Sequence, residues 1–186
     1  MGRLIAISLT LLLAACSTLG VTTPFGGGAT LDPVHDDIGS LLIAFDLPRG
    51  LGPAPSGQLF TFDVANGGPD EHLRLTLAQA EADQAMSALP PPAEGRAYYL
   101  FAVADKDRPA LAAAQAAAAA RGVAASGVKL GIVPHLCTSG TIDPNALTVS
   151  VFATIPGRTR LMPFLDQEPL AQLMTQPGST QMPPCA

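Results

Sequence analysis

The chain contains no tryptophan, and its aromatic content is only 5%. A carbohydrate-binding surface of stacked rings is therefore not expected. Charge is also scarce. Only 13% of residues are Asp, Glu, Lys or Arg, and ten basic side chains face fifteen acidic ones, for a net charge of −5. A nucleic-acid binder needs a basic face to neutralise phosphates, so that class is excluded. There are three cysteines and no CxxC pair, which leaves dithiol oxidoreductase chemistry without support. No apolar run reaches the ~20 residues that a bilayer crossing requires. The chain also lacks GxSxG, HExxH and a glycine-rich loop between a strand and a helix. The spacings that mark nucleophile-elbow serines, zinc proteases and phosphate cradles are thus absent.

What is present is apolar and rich in helix breakers. Of 186 residues, 48% are hydrophobic, 18 are Gly and 18 are Pro. Mean hydropathy is +0.32. Such a chain buries a core too readily to be disordered and breaks helices too often to be a bundle. Its length suits one domain.

The first residues account for much of the hydropathy. Met1-Gly2-Arg3 is a short basic start, and Leu4 to Leu13 is an apolar run broken only by Ser8 and Thr10. The run is too short to span and has the length of a signal-peptide core. Leu13-Ala14-Ala15-Cys16 follows, and it resembles the lipobox of bacterial lipoproteins. The resemblance implies a signal peptide over 1–15, cut before Cys16, and diacylglycerol and acyl (palmitate-type) modification of Cys16. Several acyl chains on one residue make a membrane anchor effectively permanent. Ser17, in place of Asp, implies sorting to the outer membrane, facing the periplasm, in a Gram-negative cell. Residues 16–37, with Thr22-Thr23-Pro24 and Gly26-Gly27-Gly28, read as a flexible tether.

Cys137 and Cys185 remain, an even pair in an exported chain, and the envelope compartment is oxidising. A disulfide between them is expected. It would close a loop of about 50 residues, contribute roughly 4 kcal/mol at most in the chain-entropy model, and pin a Pro- and Gln-rich tail.

Between tether and tail, period-two alternation dominates. Leu41, Ile43, Phe45 and Leu47 share one strand face, as do Phe60, Phe62 and Val64 in 58–64. Leu73, Leu75 and Leu77 open a third strand. In 78–89 the composition favours helix and the alternation favours strand; a long, bulged strand is expected. Residues 98–104 are apolar on both faces, which suits a central strand covered on its second side. Asp107, Pro109, a run of alanines, Arg121 and Gly122 read as a capped helix that supplies this cover. Strands follow over 127–133, 147–155 and 158–165. The architecture expected is a mainly β, antiparallel β-sandwich of about seven strands with one inserted Ala-rich helix, over 38–166. An α+β sheet with the helix on one face is the alternative. Residues 167–186 are expected to be an irregular, disulfide-pinned tail.

Candidate chemistry is local and sparse. Asp70, Glu71 and His72 form the acid-imidazole cluster most worth testing as a metal site for a hydrolase; Asp32, His35, Asp36 and Asp37, and the pair Asp105 and Asp107, are two others. None has a recognised ligand spacing, and acids at turns are usually solvated. His135 reads as a strand-end histidine. Arg158 and Arg160, two apart on a strand, share a face, which suits an anion contact or a charged sheet edge. An apolar pocket among Phe60, Phe62 and Phe101 would indicate a small-ligand module. No cofactor and no catalytic residue is assigned. The expected role is non-enzymatic: a lipid-anchored envelope domain that binds another envelope protein or supports an assembly. In layout it is similar to the small lipoproteins of type VI secretion complexes, a likeness carried by no motif.

Overall fold

A computed structural model describes residues 31–55, 57–81, 89–155, 161–174 and 182–185. The chain is mainly β. In order, the strands are β1 (Leu42–Pro48), β2 (Leu51–Pro53), β3 (Leu59–Val64), β4 (His72–Gln79), β5 (Arg96–Val103), β6 (Val128–Val133), β7 (Leu136–Thr138), β8 (Thr148–Thr154) and β9 (Met162–Pro169). Helix α1 (Arg108–Ala120) lies between β5 and β6, and α2 (Leu170–Met174) follows β9. No described helix is long and apolar enough to cross a membrane.

Seven strands form one antiparallel, nearly closed sheet in the order β6-β3-β4-β5-β1-β8-β9, and β2 pairs separately with β7. The two layers of the sandwich are two parts of this sheet, joined at β4. The first part of β4 pairs with β3, as far as Leu59 opposite Thr76. From Leu77 opposite Val103 onward, β4 pairs with β5 instead. A strand that changes partner turns the corner between layers. Three hydrogen bonds, two of them backbone to backbone, fix the change: Ala104 N–H to the Thr76 carbonyl at 2.9 Å, Leu77 N–H to the Gln58 carbonyl at 2.9 Å, and Thr76 N–H to the side-chain Oδ2 of Asp107 at 2.7 Å.

The alternation read from sequence is the alternation observed. Ile43, Phe45 and Leu47 of β1, Phe60, Phe62 and Val64 of β3, and Val149 and Val151 of β8 are all fully buried in one core. Phe45 and Phe101 stack with centroids 4.9 Å apart. Removing a side chain of this size from water contributes about 2–3 kcal/mol. Leu111, Ala114 and Ala118 are the buried stripe of α1, at helical spacing, and they join the same core.

The helix is therefore not the cover of the outer side of 98–104. That side belongs to a second cluster of Leu42, Ala44, Leu89 and Leu100, with Tyr98, Ala102 and Phe152 half-buried against it. Leu89 lies on the connection after β4, so the cover comes from there. β4 itself ends at Gln79, short of the expected long strand; Ala80 still gives its N–H to the Leu100 carbonyl, and Glu81 lies outside any strand. Residues 82–88 lie outside the described residues.

Two boundaries differ from the sequence reading. The end of the presumed tether, 31–37, folds onto the domain: Leu31 and Val34 are 3% and 4% exposed, and Gln115 of α1 donates to the carbonyls of Pro33 and Asp36. The start of the presumed irregular tail is regular. β9 continues to Pro169, past a bulge where Gln167 (φ 50°) donates its N–H to Ser150 Oγ, and Leu170 of α2 is buried. The pairing of β2 with β7 was not foreseen; Leu51-Gly52-Pro53 reads as a breaker cluster.

Gln58 holds a corner of the fold. It is 2% exposed; its amide donates to the carbonyls of Ala54 and His135, and its Oε1 accepts the His135 N–H at 2.8 Å. Gln58→Leu fills the space but leaves these backbone groups unpaired, each costing about 1–3 kcal/mol. Urea unfolding should show a loss of at least about 2 kcal/mol. A change near zero would mean that water replaces the amide.

Candidate functional site

The acid-imidazole cluster after β3 is held by a tight turn. Gly67 has no room for a side chain, because a Cβ would stand 2.9 Å from both the Val64 carbonyl oxygen and Glu71 Cβ. Pro69 begins a single 3-10 turn that ends at Glu71, and His72 opens β4. Alternation then sends successive side chains apart. Glu71 turns inward: its Oε2 accepts the Gly68 N–H at 2.9 Å and Arg121 Nη1 at 2.5 Å. His72 turns outward, with Nδ1 3.2 Å from Asp63 Oδ1 on the neighbouring strand. Asp70 is exposed. The three residues proposed as metal ligands do not converge on one point.

Glu71 is instead a tie across the fold. Arg121 caps the C-terminal end of α1, so the pair joins the helix end to the β3–β4 turn. The backbone N–H of Gly68 holds the Glu71 carboxyl below the usual glutamate range; the Arg121 guanidinium acts in the same direction, and burial opposes both. The other oxygen, Oε1, is buried without a partner among the described residues.

The acids before α1 are divided in the same way. Asp107 does not cap the helix with its side chain, as expected from sequence; its carboxylate is the acceptor for Thr76 N–H at the β4 corner, 31 residues away. Asp105 is 91% exposed and sits 3.3 Å from Arg108. The group near the domain's start is a self-contained turn. Asp32 accepts the N–H groups of Val34 and His35 and pairs with His35 Nδ1 at 2.9 Å, and its own N–H donates to Asp36. The His35 bond, above all, lowers the Asp32 pKa. Among the described residues, no three His, Cys, Asp or Glu side chains are placed to share a metal ion.

The remaining candidates separate clearly. Phe60, Phe62 and Phe101 are packed into the core, at most 5% exposed. A groove lies elsewhere, a space of about 440 Å³ whose lining includes Leu42, Ala78, Ala80, Ala102, Asp105 and Arg108. Arg108 there donates to the Val103 carbonyl. His135 packs against Gly57, whose φ of 101° a side chain would strain. Tyr98, on the outer face, has a raised pKa from burial and then from nearby Asp46, which is itself bonded to Arg96 Nε at 2.8 Å. Sequence reasoning passed over the Arg96–Asp46 pair, which two residues 50 apart could not signal. Cys16, Arg158 and Arg160 lie outside the described residues.

The disulfide is present. Cys137 on β7 is bonded to Cys185, with Cα atoms 4.9 Å apart. It joins the tail to β7, where Thr138 N–H donates to the Pro183 carbonyl and Cys185 N–H to the Thr138 carbonyl, both at 2.9 Å.

No family model matches the chain, and neither the curated proteins nor the solved structures give a match.

A carboxyl whose folded pKa is lowered adds stability that is complete above its unfolded pKa and is lost as pH falls through the folded value. Glu71→Gln should therefore unfold at lower urea than the parent at neutral pH, with the gap closing as pH falls below the usual glutamate range. A gap independent of pH would show that packing, not ionisation, is what Glu71 contributes.

Proposed function

We propose that the chain is a lipid-anchored cell-envelope protein whose β domain acts by binding another envelope protein or by supporting an assembly, without catalysis of its own. The observation that carries the anchor is the run Leu13-Ala14-Ala15-Cys16 behind a basic start and a short apolar core. Lipid on Cys16 would tether the domain to the membrane, and Ser17 favours the outer membrane of a Gram-negative cell. An export route into an oxidising compartment is supported by the Cys137–Cys185 bond.

The non-catalytic part of the proposal rests on how the reactive side chains are used. Glu71, Asp107, Asp32 and Asp46 are each bonded to a backbone amide, an arginine or a histidine of the fold. The phenylalanines that might have lined a ligand pocket fill the core. The partner is a protein rather than nucleic acid, given the net acidic charge.

Cys16→Ser should abolish incorporation of labelled palmitate and release the protein from the membrane fraction. Label retained by the variant would overturn the anchor. Crosslinking in intact cells, followed by purification, should recover a discrete envelope protein with the parent chain. Recovery of the monomer alone would overturn the binding role and leave the anchor standing.

A further inference from the structure

We propose that the Cys137–Cys185 disulfide is a thiol-exchange site with a fixed direction, in which a small thiol enters at Cys185, expels Cys137, and frees the 182–185 segment from β7 while the sandwich stays folded.

The direction follows from the unequal surroundings of the two sulfurs. Cys137 is 2% exposed, on a strand whose neighbour Leu136 joins the main core. Cys185 is partly exposed. β2 screens the bond from one side: a Cβ on Gly52 would lie 3.5 Å from Cys185 Sγ and 3.6 Å from Cys137 Sγ. Exchange needs the attacking thiolate in line with the sulfur–sulfur bond, so access selects the sulfur that is attacked. Cys185 is thus the more open residue of the pair, and Cys137 the enclosed one.

The chemistry balances without an outside oxidant. A thiolate RS⁻ bonds to Cys185 Sγ, the Cys185–Cys137 bond breaks, and Cys137 leaves as a thiolate. It then takes a proton from solvent. Its sulfur lies 3.5 Å from the Pro53 carbonyl oxygen, an acceptor already in place for the new S–H. Closure is the reverse: Cys137 loses its proton, attacks Cys185 Sγ and expels RS⁻. A second thiol attacking the mixed disulfide completes reduction and gives RSSR.

What exchange releases is small and separable. The 182–185 segment is held by two backbone hydrogen bonds to Thr138, a parallel bridge between Thr138 and Pro184, and the packing of Met182 on the core. Those hydrogen bonds are made to β7, which lies outside the seven-stranded sheet. Opening exposes the Thr138 N–H and carbonyl on the outer edge of β7, the kind of edge that pairs with an extended chain.

The test uses the full chain carrying Cys16→Ser, so that only this pair can react. It is incubated with reduced glutathione without denaturant, acid-quenched, alkylated and mapped by mass. Glutathione should be found on Cys185 and the alkyl group on Cys137. Hydrogen exchange should accelerate at Thr138 and Cys185, with β1 and β8 unchanged. Glutathione on Cys137, or loss of β1 and β8 protection in step with the reaction, would overturn the proposal, since exchange would then require unfolding. Single variants test the same inequality. The free Cys185 of Cys137→Ser should alkylate at least about tenfold faster than the free Cys137 of Cys185→Ser; equal rates or the reverse order would overturn it.

Discussion

The structure depends on one strand changing partners. Up to Thr76, β4 belongs with β3; from Leu77 it belongs with β5. At that step the backbone cannot satisfy itself with ladder bonds alone. The β5 side supplies Ala104 N–H for the Thr76 carbonyl, and the β3 side supplies the Gln58 carbonyl for Leu77. The Thr76 N–H is left over, and the carboxylate of Asp107 accepts it. A buried N–H without an acceptor would cost about as much as a lost hydrogen bond. The same residue begins α1, since Leu111 N–H donates to the Asp107 carbonyl. One aspartate thus joins the corner of the sheet to the helix that packs on the core. The curl of the sheet, the shared core of its two parts and the seat of the helix meet at this point.

The strands were legible because their cause is local. Alternation in β1, β3, β6 and β8 places one row of each strand in the main core, and a row of Ile43, Phe45 and Leu47 can face only one way. The mainly β class, the antiparallel pairing and the inserted alanine helix follow from such rows and from the turn residues between them. The residues that failed to announce their structure are those held by distant partners. Leu31 and Val34 lie in a stretch that looks like linker until Gln115 binds its carbonyls. Leu51-Gly52-Pro53 becomes a strand only because β7 is brought alongside. Residues 167–169 include a proline, yet the bulge at Gln167 lets β9 continue to Pro169.

The candidate site shows the same division more sharply. A cluster of acids in sequence gives the residue types that bind metals, but strand alternation and turn geometry decide whether they converge. Glu71 and His72 are adjacent in sequence and face opposite sides of the sheet. Asp107 suggested a helix cap because that use is local; its actual partner is 31 residues away. The Glu71–Arg121 and Asp46–Arg96 pairs each span 50 residues. The disulfide was the exception, since two cysteines leave only one pairing to expect.

A nearly closed sheet still has ends to cover, and the chain covers them by different means. Where β1 begins and β5 finishes, Leu31, Val34, Ile38 and Leu41 pack with the buried stripe of α1. This closure uses side chains of ordinary size on a helix of 13 residues, which needs no covalent help. Where β1 and β6 finish, the cover is the ribbon of β2 and β7, three residues each, with the tail as a third short member. Strands this short, two or three abreast, are not stable alone in water. Leu51 and Leu136 give them a foothold in the core, and the Cys137–Cys185 bond keeps the last member in register. The covalent bond therefore stands where the non-covalent closure is thinnest.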